Sequence, residues 1–270
     1  MTVYAGHDLR ARLRGRSAVV IDGPVLGEGD PGPALARLLP DLETASRRMR
    51  ARSLTLVPPT GAGWADQPEA RALLDSRGYR CDEWMTAVVD LARTPDELFG
   101  AFRRSARKAV RRAEELGVRI VRCADIEEYA SRFRPAYREG RRAMGLGLPP
   151  EKDVAAMADL IGTTYHFFLA VDGSDGRTLA TLGTYRFCGM ATEVASVQTN
   201  EGRVRGYPAQ DLLHWEAMRF HCSLGDQAFD LAGYNPAPTS EKEAGIARFK
   251  QKWGGTPVST PRFHLRLPRR

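Results

Sequence analysis

Hydrophobic positions recur along this chain with two periods, and the switch between them predicts the elements. Ser17–Asp22 is a β-branched run stopped by Gly23-Pro24 and reads as a strand. Leu35, Leu38, Leu39, Leu42, Ala45 and Met49 then recur at helical spacing, predicting a helix over Ala34–Arg52. Ser53–Val57 reads as strand, Gln67–Ser76 as a helix stopped at Gly78, and Tyr79–Leu91 as strand. Thr94 followed by Pro95, Asp96 and Glu97 is a helix start, and that helix is expected to run, with a break, to Gly117. A strand over Val118–Arg122, a helix over Asp125–Met144, a loop over Gly145–Pro150 and a short helix over Glu151–Ile161 follow. Thr164–Val171, Arg177–Phe187 and Ala191–Gln198 read as consecutive strands joined by hairpin turns. The last quarter predicts helix Ala209–Leu224, strand Ala228–Leu231, helix Glu241–Trp253 and strand Val258–Leu267.

The helix–strand–helix–strand order of the first quarter thus returns in the last. The same interval, to within one residue, separates Ala34 from Gly78 and Ala209 from Gly254. Such a return is what duplication of an α/β half leaves behind. The expected class is α/β with mixed sheets, in two modules covering residues 1–122 and 123–270.

Composition narrows the function classes. The chain has 270 residues, 43% hydrophobic and 27% charged, which excludes a disordered tail and a membrane protein. No apolar run approaches the roughly 20 residues of a bilayer span, and Met1–Arg10 lacks the order of a signal peptide, so a cytoplasmic location is expected. Cys81, Cys123, Cys188 and Cys222 form no CxxC pair and read as reduced core thiols. His7, His166, His214, His221 and His264 show no HxxxH or HxH spacing, and there is no Gly-x-Ser-x-Gly elbow. Metal-dependent hydrolysis and serine hydrolysis are therefore not expected, and no metal is assigned. Lys and Arg number 40 against 33 Asp and Glu, a net charge of +7, which favours a polyanionic partner.

The positive charge is clustered. On a helix, Arg103, Arg107 and Arg111 form one row and Arg104, Lys108 and Arg112 an adjacent one, beside an apolar seam of Phe102, Ala106, Val110 and Ala113. The stripe can grip phosphates or pair with acids of a neighbouring module. Arg138, Arg141 and Arg142 form a second cluster near a helix end. Near the C-terminus, Phe249 and Trp253 share one helix face, and Lys250 lies near Lys252. Asp230 ends a strand ahead of Gly233-Tyr234-Asn235-Pro236, where it either caps the turn or orients a ligand.

Three stretches resemble, in order, the Fem family of aminoacyl-tRNA-dependent peptidyltransferases, which are built from two fused acetyltransferase-like (GNAT) modules. Gly78-Tyr79, Met85–Leu91 and Phe102–Ala113 are similar to the family's Gly-Phe, Thr-x-x-x-Asp-Leu and Arg-x-x-Ile-Arg-Lys-Ala progression. Pro208–Leu213 through Phe229–Gly233 resembles its helix followed by an Asp-x-x-Gly strand end, and Arg248–Gly255 resembles its Phe-Lys-x-x-Phe-Gly signature. Together these frame residues 78 to 255. The chain departs from the family in lacking the long helical-hairpin insertion of some members and in a short first module.

The resemblance implies two fused GNAT-like modules that move an aminoacyl group from a charged tRNA to an amine of a peptide-like acceptor, either a peptidoglycan precursor or a peptide natural product. Lys250 would stabilise the oxyanion and Asp230 would orient the amine. Arg103, Arg104, Arg107, Lys108, Arg111 and Arg112 would hold tRNA, and Arg138, Arg141 and Arg142 an anionic acceptor. Tyr234, Asn235 and Phe249 would contact substrate, as would Arg203, Arg205 and Gly206. No cofactor is implied beyond aminoacyl-tRNA as co-substrate. Acetyltransferase-like folds also cradle the CoA pyrophosphate on a loop similar to Arg203–Ala209, although Pro208 removes one N–H donor. An acyl-CoA-dependent N-acyltransferase is therefore the alternative, and a catalytically silent nucleic-acid-binding module is a third possibility.

Overall fold

The computed structural model describes residues 2–4, 7–9, 11–14, 17–26, 29–147 and 160–268. Along the chain lie β1 (Thr2–Tyr4), β2 (His7–Leu9), β3 (Ala11–Arg14), β4 (Ser17–Ile21), α1 (Gly32–Arg48), β5 (Ser53–Val57), α2 (Pro68–Ser76), β6 (Arg80–Asp82) and β7 (Met85–Asp90). Then come α3 (Pro95–Ala101), α4 (Arg104–Glu115), β8 (Val118–Arg122), α5 (Ile126–Glu128), a short π-helix (Tyr129–Phe133) and α6 (Arg134–Ala143). The rest is β9 (Tyr165–Asp172), β10 (Thr178–Phe187), β11 (Met190–Gln198), α7 (Asn200–Arg205), α8 (Ala209–Ser223), β12 (Ala228–Asp230), α9 (Glu241–Gln251), β13 (Thr256–Ser259) and β14 (Arg262–Arg266). The expected helix over Glu151–Ile161 falls mostly on residues 148–159, outside the described residues.

Two runs that read as single strands are each divided between two sheets. Tyr79–Leu91 becomes β6 and β7, and Val258–Leu267 becomes β13 and β14. Pro261, which has no N–H to give a ladder, sits at the second break. The mixed α/β class holds, with two main sheets of order β3-β4-β5-β14-β6 and β13-β7-β12-β11-β10-β9-β8.

Two compact units result. One comprises residues 1–86, 233–247 and 257–270, and the other residues 87–232 and 248–256. A boundary between residues 122 and 123 does not describe this chain. It would separate β8 from β9, which are paired from Val118↔Asp172 to Arg122↔Phe168, and α4 from α8, against which it packs. Interleaving of the chain, invisible to local patterning, is the reason.

In the first unit β4 and β5 run parallel, and β14 pairs antiparallel with β5 and β6. Leu35, Leu38, Leu39 and Leu42 of α1 are buried with Leu54, Leu56 and Phe263 of the sheet. Each such side chain contributes about 1.5–3 kcal/mol by leaving water.

In the second unit the strict alternation of β9 separates two layers. Phe167 and Leu169 pack with Tyr129 and Phe133, which precede α6, whereas His166 and Phe168 meet Phe220 of α8. The α3 start is a full capping box: Thr94 accepts from the Glu97 amide, and the Glu97 carboxylate accepts from the Thr94 amide. The helix breaks at Phe102-Arg103, both in extended backbone, before α4 begins. Of the four cysteines, Cys123 is buried and Cys222 half-buried, while Cys81 and Cys188 are exposed; all are free thiols. The expectation of four core thiols thus fails for two, which lie at a strand edge and a hairpin turn.

Candidate active site

Strand β11 carries the centre of the site because it outruns its neighbour. The parallel rungs joining β11 to β12 are Met190↔Ala228, Ala191↔Phe229 and Thr192↔Asp230; β12 then ends, whereas β11 continues to Gln198. The register against β10 slips beside the last rung: Thr184 faces Glu193, but Gly183 faces Ala195, leaving Val194 as the extra residue of a bulge. Without the bulge, Glu193 and Ser196 would point to opposite faces. With it, both face α8.

Glu193 lies with its Oε2 3.1 Å from His214 Nε2, and its side chain is only 12% exposed while that of His214 is 0%. On its far side His214 Nδ1 is 2.7 Å from the Gln210 carbonyl oxygen. Gln210 Nε2 donates to Ser196 Oγ at 2.6 Å. The imidazole is held against Trp253, nearly parallel at 5.6 Å between centroids, and by the edge of Phe249 at 5.0 Å. Burial pushes the Glu193 carboxyl up, but the His214 hydrogen bond and charge, together with the charge of Lys250, prevail and hold it below the usual carboxylate range.

Lys250, on α9, is 8% exposed. Its Nζ donates to the Ala232 carbonyl oxygen at 3.0 Å. It therefore does not share the surroundings of Lys252, whose ammonium lies 4.0 Å over the Phe249 ring and bonds Asp211. Ala232 holds a left-handed φ of 60°, a conformation that costs a non-glycine residue about 1–3 kcal/mol and is retained where surroundings over-determine it. Asp230 supplies part of that determination: its Oδ1 accepts from the Ala232 amide at 2.7 Å. Asp230 thus forms the turn that aims a carbonyl at Lys250. The signature glycine after Trp253 has a steric cause, since Gly254 has φ 71° and an added Cβ would stand 2.8 Å from the Ala101 carbonyl oxygen.

Several residues expected to bind ligands are engaged within the fold. The segment Arg203–Ala209 is not an open loop: its first part is α7, capped by Thr199 and closed by Gly206 at φ 65°. Arg205 is held by three carboxylates, Asp172, Asp175 and Glu201, which together outweigh its single positive charge. Arg203 donates to Asn200 Oδ1 at 2.7 Å and is exposed. Tyr234 and Asn235 belong to the first unit. Tyr234 is buried in an antiparallel bridge with Met85, and Asn235 bonds Glu243 at the start of α9. Phe249 packs in the aromatic cluster around His214.

The two basic clusters are split in the same way. Arg107 donates to the carbonyl oxygens of Gly100 (2.8 Å) and Phe102 (2.5 Å), tying the α3–α4 break together. Arg103, Arg104, Lys108, Arg111 and Arg112 are exposed; Arg112 pairs with Glu115 and Arg111 lies 5.7 Å over the Phe99 ring. Arg141 donates to the Gly147 carbonyl and to Tyr137 Oη, holding the loop after α6. Arg138 and Arg142 instead line an open cleft of about 320 Å³ with Arg134, Ala130 and Pro135. The helical row of residues 134, 138 and 142 thus replaces the expected trio.

Among the described residues there is no cluster fit to hold a metal ion, and no helix is long and apolar enough to cross a membrane. A family profile described as an acetyltransferase (GNAT) domain matches residues 100–251. No curated protein matches the chain. Among solved structures, FemX is 15% identical with a TM-score of 0.67, the alignment covering 93% of this chain and 80% of that one. The tandem GNAT protein from the clavulanic acid biosynthesis pathway is 14% identical with a TM-score of 0.61, covering 95% and 77%. The L-PGS structure from Bacillus licheniformis is 15% identical with a TM-score of 0.60, covering 97% and 81%. At these identities the likeness is one of fold.

Proposed function

The chain belongs to the acetyltransferase (GNAT) domain family, and from that premise we propose that it is an aminoacyltransferase, moving an aminoacyl group from aminoacyl-tRNA to an amine of a peptide-like acceptor. The observation that carries this is Lys250: an ammonium shielded from water, held by a strained carbonyl turn, at the place where β11 and β12 part. In the reaction the acceptor's neutral amine attacks the ester carbonyl carbon, the C–N bond forms, and negative charge builds on the carbonyl oxygen. Lys250 donates to that oxygen. The C–O bond to the ribose then breaks, and the proton released by nitrogen ends on the ribose oxygen.

The α7 geometry favours tRNA over CoA as donor, because the charge of Arg205 is already matched by three carboxylates and Gly206 serves to close a helix. The fold likeness to FemX fits aminoacyl transfer. The exposed face of α4, with Arg103, Arg104, Lys108, Arg111 and Arg112, is assigned to tRNA phosphates. Arg138 and Arg142, joined by Arg134, are assigned to an anionic acceptor such as a peptidoglycan precursor. Asp230 acts through the Ala232 turn.

Parallel titrations with bulk tRNA and with CoA, at two salt concentrations, test the donor. Micromolar, strongly salt-dependent tRNA binding without a CoA response is expected, together with tRNA-dependent transfer that Lys250→Ala lowers at least about 100-fold. Saturable CoA binding and transfer from acyl-CoA would overturn the tRNA assignment in favour of an acyl-CoA-dependent N-acyltransferase.

A further inference from the structure

On the face toward α6, the sheet of the second unit carries a row of aromatic side chains that acyl transfer itself does not require. The register sets the row: Asp230 of β12 pairs with Thr192 of β11, Thr192 with Tyr185 of β10, and Tyr185 with Tyr165 of β9. Strands alternate, so Thr192, Tyr185 and Tyr165 share a face with Phe167, which meets Tyr129 and Phe133, while Glu193 and Arg186 point the other way. The rings of Tyr165 and Tyr185 are 6.1 Å apart between centroids, and both residues are half-buried. One step outward on this face Phe187 pairs with Met190, and Phe187 is 52% exposed. One step inward the floor is closed, because a Cβ on Gly183 would stand 3.0 Å from the Phe167 ring and 3.1 Å from the Ala195 Cβ. A sealed aromatic core thus becomes open aromatic surface at the row where β11 and β12 part. None of Thr192, Tyr185, Tyr165, Phe187 and Met190 carries a carboxylate, ammonium or guanidinium. Helix α6 borders this floor. Its Gly140 lies so close to β11 that a Cβ would stand 2.6 Å from the Val197 side chain, and its Glu139 accepts from the Asn200 amide beyond the end of that strand. Arg134 and Arg138, on the flank of α6 away from Glu139, line the cleft assigned above to an anionic group. An uncharged aromatic floor therefore lies beside cations, a combination that suits a ligand with one apolar and one anionic part.

We propose that Tyr165 and Tyr185, with Phe187 at the rim, select the acceptor by seating an aromatic or large apolar side chain of the residue that carries its nucleophilic amine. This rests on the acyl-transfer reading of the Lys250 site and holds for either donor. Neighbouring strands lie about 4.8 Å apart, so Tyr185 begins one strand, and Tyr165 two strands, from the last β11–β12 rung. A phenylalanine or leucine side chain spans the first of these intervals. Its amine then lies at the parting of the strands, where the ladder no longer closes the sheet, while its apolar end rests on the two tyrosines. Removing such a side chain from water favours its binding by about 10-fold to 150-fold over a bare hydrogen. A charged side chain would lose its hydration on this floor and find no partner there, so the same rings also reject.

The test offers the full chain three amines that differ only in side chain, phenylalaninamide, leucinamide and glycinamide, with whichever donor, aminoacyl-tRNA or acyl-CoA, the wild type uses. Phenylalaninamide and leucinamide are expected to exceed glycinamide in kcat/KM by at least about tenfold, mainly through KM. Tyr185→Ala is expected to bring that ratio below about threefold, whereas Tyr185→Phe, which keeps the ring, is expected to preserve it. Phe187→Ala removes an exposed ring and is expected to lower the ratio about threefold, so the proposal stays testable if Tyr185→Ala fails to fold in a thermal melt. Equilibrium titration with phenylalaninamide gives a second readout, with binding to Tyr185→Ala expected to be about tenfold weaker than to the wild type. If the wild type uses glycinamide within threefold of phenylalaninamide, or if folded Tyr185→Ala keeps the full ratio, the proposal is overturned while the acyl-transfer reading stands. Transfer from acyl-CoA alone overturns the tRNA assignment and still tests the two tyrosines. Absence of transfer to any amine from either donor overturns both.

Discussion

Helix α8 presents two histidines, two turns apart, to the same sheet, and each meets a carboxylate. His221 Nδ1 lies 2.8 Å from Asp226 Oδ2, and its Nε2 lies 2.8 Å from Thr184 Oγ1. Asp226 is also gripped by Arg186 in bidentate fashion, with its side chain 1% exposed. Burial pushes the His221 imidazole down despite Asp226, so it stays neutral, donating to Asp226 and accepting from Thr184. His221, Asp226, Arg186 and Thr184 each find a partner within that network. Glu193 occupies the contrasting position: it is bonded by His214 and Ser196, its cation is a lysine held by a strained turn, and its strand has just lost its neighbour. The same pair of side chains therefore serves structure where the network closes around it, and is available to chemistry where the sheet opens.

The sharpest way to break this contrast is to remove the cation of the open site. Lys250→Ala is expected to lower kcat about 100-fold to 1,000-fold in the transfer assay, with an unfolding midpoint close to the wild type. A loss of less than tenfold would remove Lys250 from the reaction. The closed site should respond in the opposite currency. Asp226→Asn takes from Arg186 and His221 the carboxylate that both bond and is expected to cost about 3 kcal/mol of stability in a urea titration, while kcat per folded molecule stays unchanged. If activity fell and stability did not, the roles assigned to the two pairs would be exchanged.

Acid should expose the closed site next. Burial first, and then the neighbouring His221, hold the His166 imidazole down at about 4 against 6.5 for the unfolded chain. The folded state keeps it neutral, so its contribution is complete above pH 6.5 and is lost progressively as pH falls toward 4. That loss amounts to up to about 3 kcal/mol. Thermal melts between pH 7.5 and 4.5 should show the decline, and His166→Leu should flatten it; an unchanged slope in the variant would assign the acid sensitivity elsewhere. The smallest effect is expected on the outer face of α4. Arg112→Ala should alter stability by less than about 0.5 kcal/mol yet reduce the salt dependence of tRNA binding by about one phosphate contact, whereas Arg107→Ala should loosen the α3–α4 joint instead. Equal salt slopes for wild type and Arg112→Ala would take that arginine off the nucleic-acid face.

Much of this was legible in the residues. Thr94-Pro95-Asp96-Glu97 announces a capping box, and the structure forms one. Lys250 stands in a Phe-Lys context that marks it, and it is the lysine whose ammonium is buried. The arginines were harder, because their number and spacing say nothing about which carboxylate or carbonyl each finds. Arg205 finds Asp172 at the end of β9 and Asp175 in the turn that follows, Arg107 finds the carbonyls of its own helix break, and Arg141 finds Gly147. Glu193 carries a faint local signal, a charged residue in a strand whose burial is otherwise high, but nothing nearby in sequence gives it a partner. His214 gave none, since its carboxylate is far away in sequence.

What the chain determined by itself is local: the periods that make strands and helices, the caps and glycines that end them, and the family signature around Lys250. These depend on neighbours within a few residues, whose backbone conformations and side-chain directions are set by short-range sterics and hydrogen bonding. Only the tertiary structure decided which unit each strand joined, where β11 outran β12, and how one extra residue at Val194 turned Glu193 toward His214. A register slip reverses the face of every side chain beyond it, and register is fixed by pairing with strands that local sequence does not name.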